Sequence, residues 1–248
     1  HQGFIPWDDD TDICMLREDY QRFLKVAPLE LTGEYHINSP YSEESYNYVF
    51  SRILNATSIS YDYSRLSQFH RCPYIIGVDI FPLDTVTTNP DEESILYQLI
   101  HILISAVNQY DDKPEEVISM IPDLEKLCNI KLDTSRCIKN QLLRIADSLC
   151  QIYNGSNSSF ISYIPEDSQK DIRLQREWFN TYDYLPFENI LIPVPKQYDD
   201  ILTALYGDYM TPIQNCAGHD YPFYKKQTNA MTKYITQTIM DGKKPFIF

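Results

Sequence analysis

Glycine, positive charge and long apolar runs are all scarce in this sequence. The 248 residues include only 7 glycines, which excludes collagen-like chains and glycine-rich linkers. No run of about 18 apolar residues occurs, so the sequence predicts no membrane-spanning helix. Lysine and arginine total 21 against 35 aspartate and glutamate residues, giving a net charge of −14. Because a phosphate backbone requires a cationic footprint, this charge argues against a nucleic-acid-binding protein.

The six cysteines carry no metal-binding or redox signature. None of them forms a Cys-x-x-Cys pair, and no Cys/His cluster has zinc-finger spacing. Buried free thiols in a reducing compartment are the simplest interpretation, and we therefore expect a cytoplasmic protein. Apolar residues make up 43% and charged residues 23% of the chain, a composition typical of a folded globular protein.

The residue pattern predicts an α+β fold in one continuous domain, 1–248. Residues 31–81 are rich in the Tyr, Ile, Val and Thr that favour strands. Three segments there have strand length: Tyr48–Leu54, Ser58–Tyr63 and Tyr74–Phe81. The last is mostly apolar, which favours a central strand buried on both faces. A late strand is predicted at Leu185–Val194.

Helices are predicted on both sides of this β-rich region. An amphipathic helix covers Arg17–Val26, and we expect Pro28 to stop it. Further helices are predicted at Ile95–Val107, Glu115–Cys128 and Arg136–Tyr153. The first of these is apolar nearly all round, so we expect it to be buried. A last helix, Tyr198–Leu205, has Gly207 as its C-cap. The chain accordingly divides into a core 1–90, a helical segment 91–160 and a C-terminal part 161–248.

The sharpest chemical feature is an acidic block, Trp7-Asp8-Asp9-Asp10-Thr11-Asp12-Ile13. Its four carboxylates repel one another unless water or a cation separates them. If Asp10–Cys14 forms a strand, Asp10 and Asp12 point to one face and stand about 7 Å apart along it. Carboxylate oxygens in this arrangement suit Mg²⁺ or Mn²⁺, and Asp8 would extend the same face.

Two other interpretations of the acidic block stay open. A solvated acidic turn would tolerate the same charges. A calcium loop would place Asp8, Asp10 and Asp12 at its first, third and fifth ligand positions, but its sixth position requires glycine and here holds Ile13. A β-branched residue disfavours the left-handed backbone of that position, so the calcium loop is the weaker alternative.

A third carboxylate, Asp79, lies between large apolar residues of the predicted central strand. An ionised aspartate that is buried without a partner is costly. We therefore expect one of two roles for Asp79. It either joins Asp10 and Asp12 as a metal ligand or general base, or it caps the end of the strand. Asp84 is expected to be a turn residue rather than a ligand.

Several segments of the sequence resemble, in their order along the chain, the motifs of one known family. They are Gly3–Ile13, Arg17–Phe23, Val78–Asp84, Leu185–Glu188, Ile192–Pro195 and Tyr206–Pro212 followed by His219. Taken in this order, they resemble the LicD family, which includes bacterial phosphocholine transferases and is related to the fukutin group. The Pro-Trp-Asp-Asp-Asp and Tyr-Gly-Asp-Tyr-Met stretches are the most specific, whereas residues 91–153 carry no motif of the family.

The resemblance implies a nucleotidyltransferase-like fold, with a mixed β-sheet core, a largely helical insertion and C-terminal helices. It implies metal-dependent transfer of a phosphocholine-like group from a CDP-linked donor to a sugar hydroxyl of a cell-surface glycan, such as lipopolysaccharide, teichoic acid or capsule. The implied metal ligands for Mg²⁺ or Mn²⁺ are Asp8, Asp10, Asp12 and Asp79. The implied catalytic residues are Asp10, Asp12 and Asp79. The residues expected to bind substrate are Trp7, Tyr206, Tyr209 and His219.

The resemblance also implies a set of partners. We expect a CDP-choline-like donor and a lipid-linked or oligosaccharide acceptor, reached from the cytoplasm with peripheral contact at the inner membrane face. Family members carry a Gly-Thr or Gly-Ser stretch at a helix start upstream of the Pro-Trp-Asp block, where backbone N–H groups hold phosphate. The sequence begins at His1, so we expect the core 1–90 to be without this first helix. A non-catalytic or fragmentary relative that binds a glycan or a partner is the alternative function.

Overall fold

A six-stranded sheet organises the chain in a computed structural model, which describes residues 1–7, 10–33, 35–167, 171–213 and 222–244. The sheet contains β1 (Asp12–Leu16), β2 (His36–Asn38), β3 (Ser51–Leu54), β4 (Gly77–Thr85), β5 (Phe160–Ser162) and β6 (Leu174–Gln175). The order is β2-β3-β4-β5-β6, and β1 also pairs with β4. The β1–β4 pair is parallel and the other pairs are antiparallel, so the sheet is mixed.

Helices accompany this sheet and confirm the predicted α+β class. They are α1 (Arg17–Glu30), α2 (Tyr63–Gln68), α3 (Pro90–Gln109), α4 (Pro114–Cys128), α5 (Ile138–Cys150), α6 (Ile164–Asp167), α7 (Tyr198–Tyr206) and α8 (Pro222–Met240). Helices α3 to α5 fall within the predicted helical segment. Among the described residues, no helix has both the length and the apolar character needed to cross a membrane.

The helical layer is built around α3 and α5. The side chain of Asn89 caps α3 by accepting hydrogen bonds from two backbone N–H groups of the first turn, which no helical carbonyl reaches. Leu103 of α3 and Leu142 of α5 are fully buried in the main core. Ile95 and Ile102, however, are 61% and 37% exposed. The prediction of a helix buried all round was therefore wrong, because α3 packs on the core along one side only.

Two element boundaries near the amino terminus differ from prediction. Helix α1 continues through Pro28 to Glu30, and Leu31 N–H closes its last turn by donating to the carbonyl oxygen of Ala27 at 2.8 Å. Proline lies so close to the end that the helix loses little hydrogen bonding. The predicted strand Ser58–Tyr63 is absent from the described sheet, and α2 begins at Tyr63 instead.

Strand bounds follow from which neighbours are available for pairing. Strand β4 starts at Gly77 rather than at Tyr74, because Gly77 is the first of its residues that pairs with β3. A Cβ atom on Gly77 would lie 2.7 Å from the carbonyl oxygen of Ile53, so only glycine allows this close approach. Strand β3 correspondingly begins at Ser51 rather than Tyr48.

The predicted strand Leu185–Val194 is in fact a hairpin. Strands β7 (Tyr182–Phe187) and β8 (Ile190–Pro195) pair antiparallel, and Glu188 in the turn has a positive φ of 52°. Helix α7 follows, and Gly207 forms its C-cap with a φ of 68°, as predicted. Glycine adopts this backbone conformation without steric cost.

A buried charged cluster joins α1, β4 and α5. Arg17 Nε and Nη2 donate to the two carboxylate oxygens of Asp84 at 2.8 and 2.5 Å, and Nη1 donates to Asp147 Oδ1 at 2.8 Å. All three residues are at most 5% exposed. Asn154 Nδ2 also donates to Asp84 at 2.6 Å. The prediction of Asp84 as a turn residue was wrong, because its partners lie far away in sequence.

Candidate active site

A row of polar residues crosses four neighbouring strands at one end of the sheet. Asp12 of β1 pairs in register with Asp79 of β4, Asp79 pairs with Arg52 of β3, and Arg52 pairs with Asn38 of β2. Directly paired residues project from the same face of a sheet, and adjacent strands lie about 4.8 Å apart. We call these four residues the polar row. It makes the carboxylates of Asp12 and Asp79 immediate neighbours.

A backbone hydrogen bond and a buried neighbour fix the register of the polar row. The N–H of Asp79 donates to the carbonyl oxygen of Thr11 at 3.1 Å, directly before β1 begins. Ile80, the next residue of β4, is fully buried on the opposite face. A shift of one residue would therefore move Ile80 to the polar row and Asp79 into the core, so the register is strongly specified.

Arg52 holds the carboxylate of Asp79 through a bidentate ion pair. Nε donates to Oδ1, and Nη2 donates to Oδ2 at 2.5 Å. The two side chains are 17% and 14% exposed. Burial by itself would lower the pKa of Arg52, but the hydrogen bonds and the charge of Asp79 outweigh burial and raise that pKa. Arg52 therefore carries a permanent positive charge beside the acidic residues.

Aromatic rings surround the Arg52 guanidinium. It lies 5.5 Å from the ring centre of Tyr48 and 5.8 Å from that of Phe50. Tyr46 packs against the same two rings, at 5.5 and 6.5 Å between centres, and is only 8% exposed. Within the described part of the chain, its buried hydroxyl has no hydrogen-bond partner. Burial raises the pKa of Tyr46, so this hydroxyl is a neutral donor.

The other predicted metal ligands are placed less completely. Asp10 is half-buried and lies outside β1, because the strand starts at Asp12 rather than at Asp10 as predicted. Asp8 lies outside the described residues. Among the residues that are described, no three His, Cys, Asp or Glu side chains converge to hold a metal. The structure thus brings Asp12 and Asp79 together, with Asp10 two residues before the strand.

These residues fit a hard divalent cation by the chemistry of their donor atoms. Asp12 and Asp79 offer carboxylate oxygens from adjacent strands, and Asp10 adds a third carboxylate on the segment leading into β1. Oxygen ligands of this kind suit Mg²⁺ or Mn²⁺. Both oxygens of Asp79 accept hydrogen bonds from Arg52, so an ion at Asp79 competes with that guanidinium.

Three of the four predicted substrate-binding residues are described: Trp7 lies on the segment before the acidic strand, and Tyr206 and Tyr209 lie at the end of α7 and just after it. Trp7 is 40% exposed and Tyr206 is 71% exposed. Tyr209 donates its hydroxyl to Asp199 Oδ1 at 2.5 Å, and this hydrogen bond raises the pKa of Tyr209 to about 12. His219 lies outside the described residues.

The hairpin and the residues after α7 hold the segment that leads to Asp10. Glu188 N–H donates to the carbonyl oxygen of Gln2 at 2.8 Å, and Phe4 N–H donates to Glu188 Oε1 at 3.0 Å. The rings of Phe4 and Phe187 pack edge to face at 4.9 Å. His1 Nε2 lies 3.1 Å from the carbonyl oxygen of Tyr209. Three distant sequence segments therefore meet at residues 1–4, upstream of the acidic strand.

Neither Arg52 nor Tyr46 was predicted from the sequence. A usable signal was present, since Arg52 stands in the apolar stretch Phe50–Leu54 and a cation in such a strand requires a charged partner. Tyr46 carried no comparable signal, because twenty tyrosines occur in the chain.

Comparison with known proteins shows which family the chain is similar to. A family model described as the LicD/FKTN/FKRP nucleotidyltransferase domain matches residues 1–97, which contain the whole polar row. The chain is also 30% identical over 226 residues to lipopolysaccharide cholinephosphotransferase LicD of Haemophilus influenzae, a match that covers 85% of this chain and 77% of that protein. No solved structure matches the chain. Because the similarity extends over most of both proteins, the chain belongs to the LicD family.

Proposed function

We propose that this protein transfers a phosphocholine-like group from a CDP-linked donor to a sugar hydroxyl of a cell-surface glycan. The register of β1 against β4 carries the proposal, since it sets Asp12 beside Asp79 with Asp10 just upstream. The relative from Haemophilus influenzae, a lipopolysaccharide cholinephosphotransferase, supports the nature of the transferred group and of the acceptor.

The chemistry of phosphoryl transfer explains why carboxylates are needed in an acidic protein. The chain carries a net charge of −14, so its overall charge repels a diphosphate. Asp10, Asp12 and Asp79 would hold Mg²⁺ or Mn²⁺, which when bound neutralises charge on the phosphate oxygens. The acceptor hydroxyl attacks the choline-bearing phosphorus, its proton passes to a carboxylate of this group, and CMP leaves.

Exposed aromatic residues before the acidic strand and after α7 suit the proposed substrates. Trp7 is 40% exposed on the segment that leads to Asp10, and a quaternary ammonium binds favourably to an aromatic face. Tyr206 and Tyr209 follow on the segment that His1 contacts. We assign these residues, together with His219, to the binding of the choline group and the acceptor.

We place this activity on the cytoplasmic side of the membrane, acting on a lipid-linked or oligosaccharide acceptor. The five described cysteines are free, which is consistent with a reducing compartment. Tyr184 and Leu191 on the hairpin are 70% and 65% exposed, and such residues suit peripheral contact with a membrane.

The test is a transfer assay on Asp12→Asn. Asparagine preserves the shape of the side chain but removes the charge that holds the metal. Losing about 4 kcal/mol of transition-state stabilisation lowers the rate about a thousandfold. The assay follows labelled choline from CDP-choline into lipopolysaccharide that lacks phosphocholine, with circular dichroism to verify folding.

A matched control separates catalysis from surface charge. Asp111→Asn removes a carboxylate that is 74% exposed and paired with Lys139 in the helical layer. This variant should keep the wild-type rate. A mild effect of Asp12→Asn would show that the acidic strand is not the catalytic centre. A wild type that transfers no choline would contradict the proposed function, and it would favour a relative that binds a glycan without transferring a group.

A further inference from the structure

Arg52 is a cation placed inside an acidic site, in register with the residue that should hold the metal. We propose that Arg52 is a binding residue for the donor phosphate, and that it pairs with Asp79 only until a metal ion binds to Asp79. This inference rests on the proposed function and adds to it the residue that recognises the diphosphate.

The hydrogen bonding of Asp79 is the first argument. Arg52 engages both carboxylate oxygens, and neither side chain is more than 17% exposed. An ion pair that stayed intact would leave Asp79 with poorly placed lone pairs for a metal. Metal binding at Asp79 therefore releases the guanidinium, which then requires another anion at the same place.

The guanidinium is suited to a phosphate in both charge and shape. Its planar fork forms two parallel hydrogen bonds with carboxylate or phosphate oxygens, so a phosphate can replace Asp79 without loss of bidentate pairing. The flanking rings of Tyr48 and Phe50 hold the guanidinium in the site during this exchange.

The hydroxyl of Tyr46 is an independent observation that points to a ligand. It is buried, it lies in the same aromatic group, and it has no hydrogen-bond partner within the described residues. It interacts electrostatically with both Arg52 and Asp79. A buried donor without a partner is costly, and an oxygen of the bound donor would satisfy it.

The experiment compares Arg52→Gln with the wild type by calorimetry. Without nucleotide, Mn²⁺ should bind Arg52→Gln at least about threefold more tightly, because a competing positive charge is gone. With saturating Mg²⁺, CDP-choline should bind about ten- to a hundredfold more weakly, because charged hydrogen bonds to its phosphate are lost. Arg136→Gln is the matched control, since it breaks a pair with Glu44 in which both side chains are at least half exposed. It should change neither affinity.

A second measurement uses the wild-type protein, so that it does not depend on the folding of a variant. Phenylglyoxal modifies free arginine side chains, and mass spectrometry of peptides quantifies the labelling of Arg52. Mg²⁺ alone should increase this labelling by releasing the guanidinium, and CDP-choline with Mg²⁺ should suppress it. Labelling that fails to rise with Mg²⁺, or that CDP-choline with Mg²⁺ fails to suppress, would overturn the inference.

The outcomes separate this inference from the function on which it rests. If the wild type binds CDP-choline and Arg52→Gln binds it equally well, Arg52 only stabilises the sheet and the inference alone fails. If the wild type does not bind CDP-choline with Mg²⁺, the proposed donor is wrong and the inference fails with it. Opposite shifts in the two affinities of Arg52→Gln would support the proposal.

Discussion

Replacing Arg17 by methionine should destabilise the fold severely, because it leaves two carboxylates buried without their cation. Asp84 and Asp147 are 1% and 2% exposed, and Arg17 donates to both. Breaking a buried ion pair by removing one partner costs about 3–5 kcal/mol. This is a large share of the roughly 5–15 kcal/mol by which a typical domain is stable.

The assay is urea unfolding followed by circular dichroism at pH 7. With a urea dependence of about 2–3 kcal/mol per molar, the midpoint should fall by about 1–2.5 M. The matched control is Arg136→Met, which breaks the exposed pair with Glu44. Exposed pairs are worth at most about 1 kcal/mol, so this variant should unfold close to the wild-type midpoint.

The pH dependence supplies a second check with a definite sign. Burial raises the pKa of Asp84 even though the hydrogen bond and charge of Arg17 lower it, so removing Arg17 raises that pKa further. A carboxyl with a raised pKa in the folded state holds a proton where the unfolded chain does not, so falling pH stabilises the folded form.

The deficit in the free energy of unfolding of Arg17→Met, relative to the wild type, should therefore become smaller as the pH falls from 7 toward 3.8, the ordinary pKa of an aspartate carboxyl. A deficit below about 1 kcal/mol at pH 7 would refute the assignment of a buried charged cluster. A deficit that stays constant with pH would refute the electrostatic explanation.

Three further predictions test the site and the packing. Millimolar Mg²⁺ or Mn²⁺ should raise the melting temperature of the wild type but not of Asp12→Asn, since binding to the native state stabilises it; a larger shift with Ca²⁺ would favour the calcium loop instead. Gly77→Ala should lose about 1–3 kcal/mol in urea unfolding, because its Cβ would lie 2.7 Å from the Ile53 carbonyl oxygen, and an unchanged midpoint would contradict that contact. Ellman's reagent should label exposed Cys14 in the native protein but not Cys150, whose pKa burial raises, and equal labelling rates would argue against the described core.

The sequence by itself determined the features that depend on neighbouring residues. Asp12 and Asp79 were predicted to lie together, because each is a carboxylate whose charge requires an explanation where it stands, and their strands do pair. The cap at Gly207 could also be predicted, since the left-handed backbone that ends a helix favours glycine over other residues. The α+β class followed from local strand and helix patterns in the same way.

Only the tertiary structure decided which residues are partners across the sheet. Arg52 meets Asp79 because β3 pairs with β4, and Arg17 meets Asp84 because β1 delivers α1 to the far end of the same strand. Pairing also decided where strands end, and β3 (Ser51–Leu54) is therefore shorter than the predicted strand Tyr48–Leu54. Hydrogen bonds between strands and ion pairs between distant residues depend on which segments the fold brings together, and no local pattern of side chains encodes that choice.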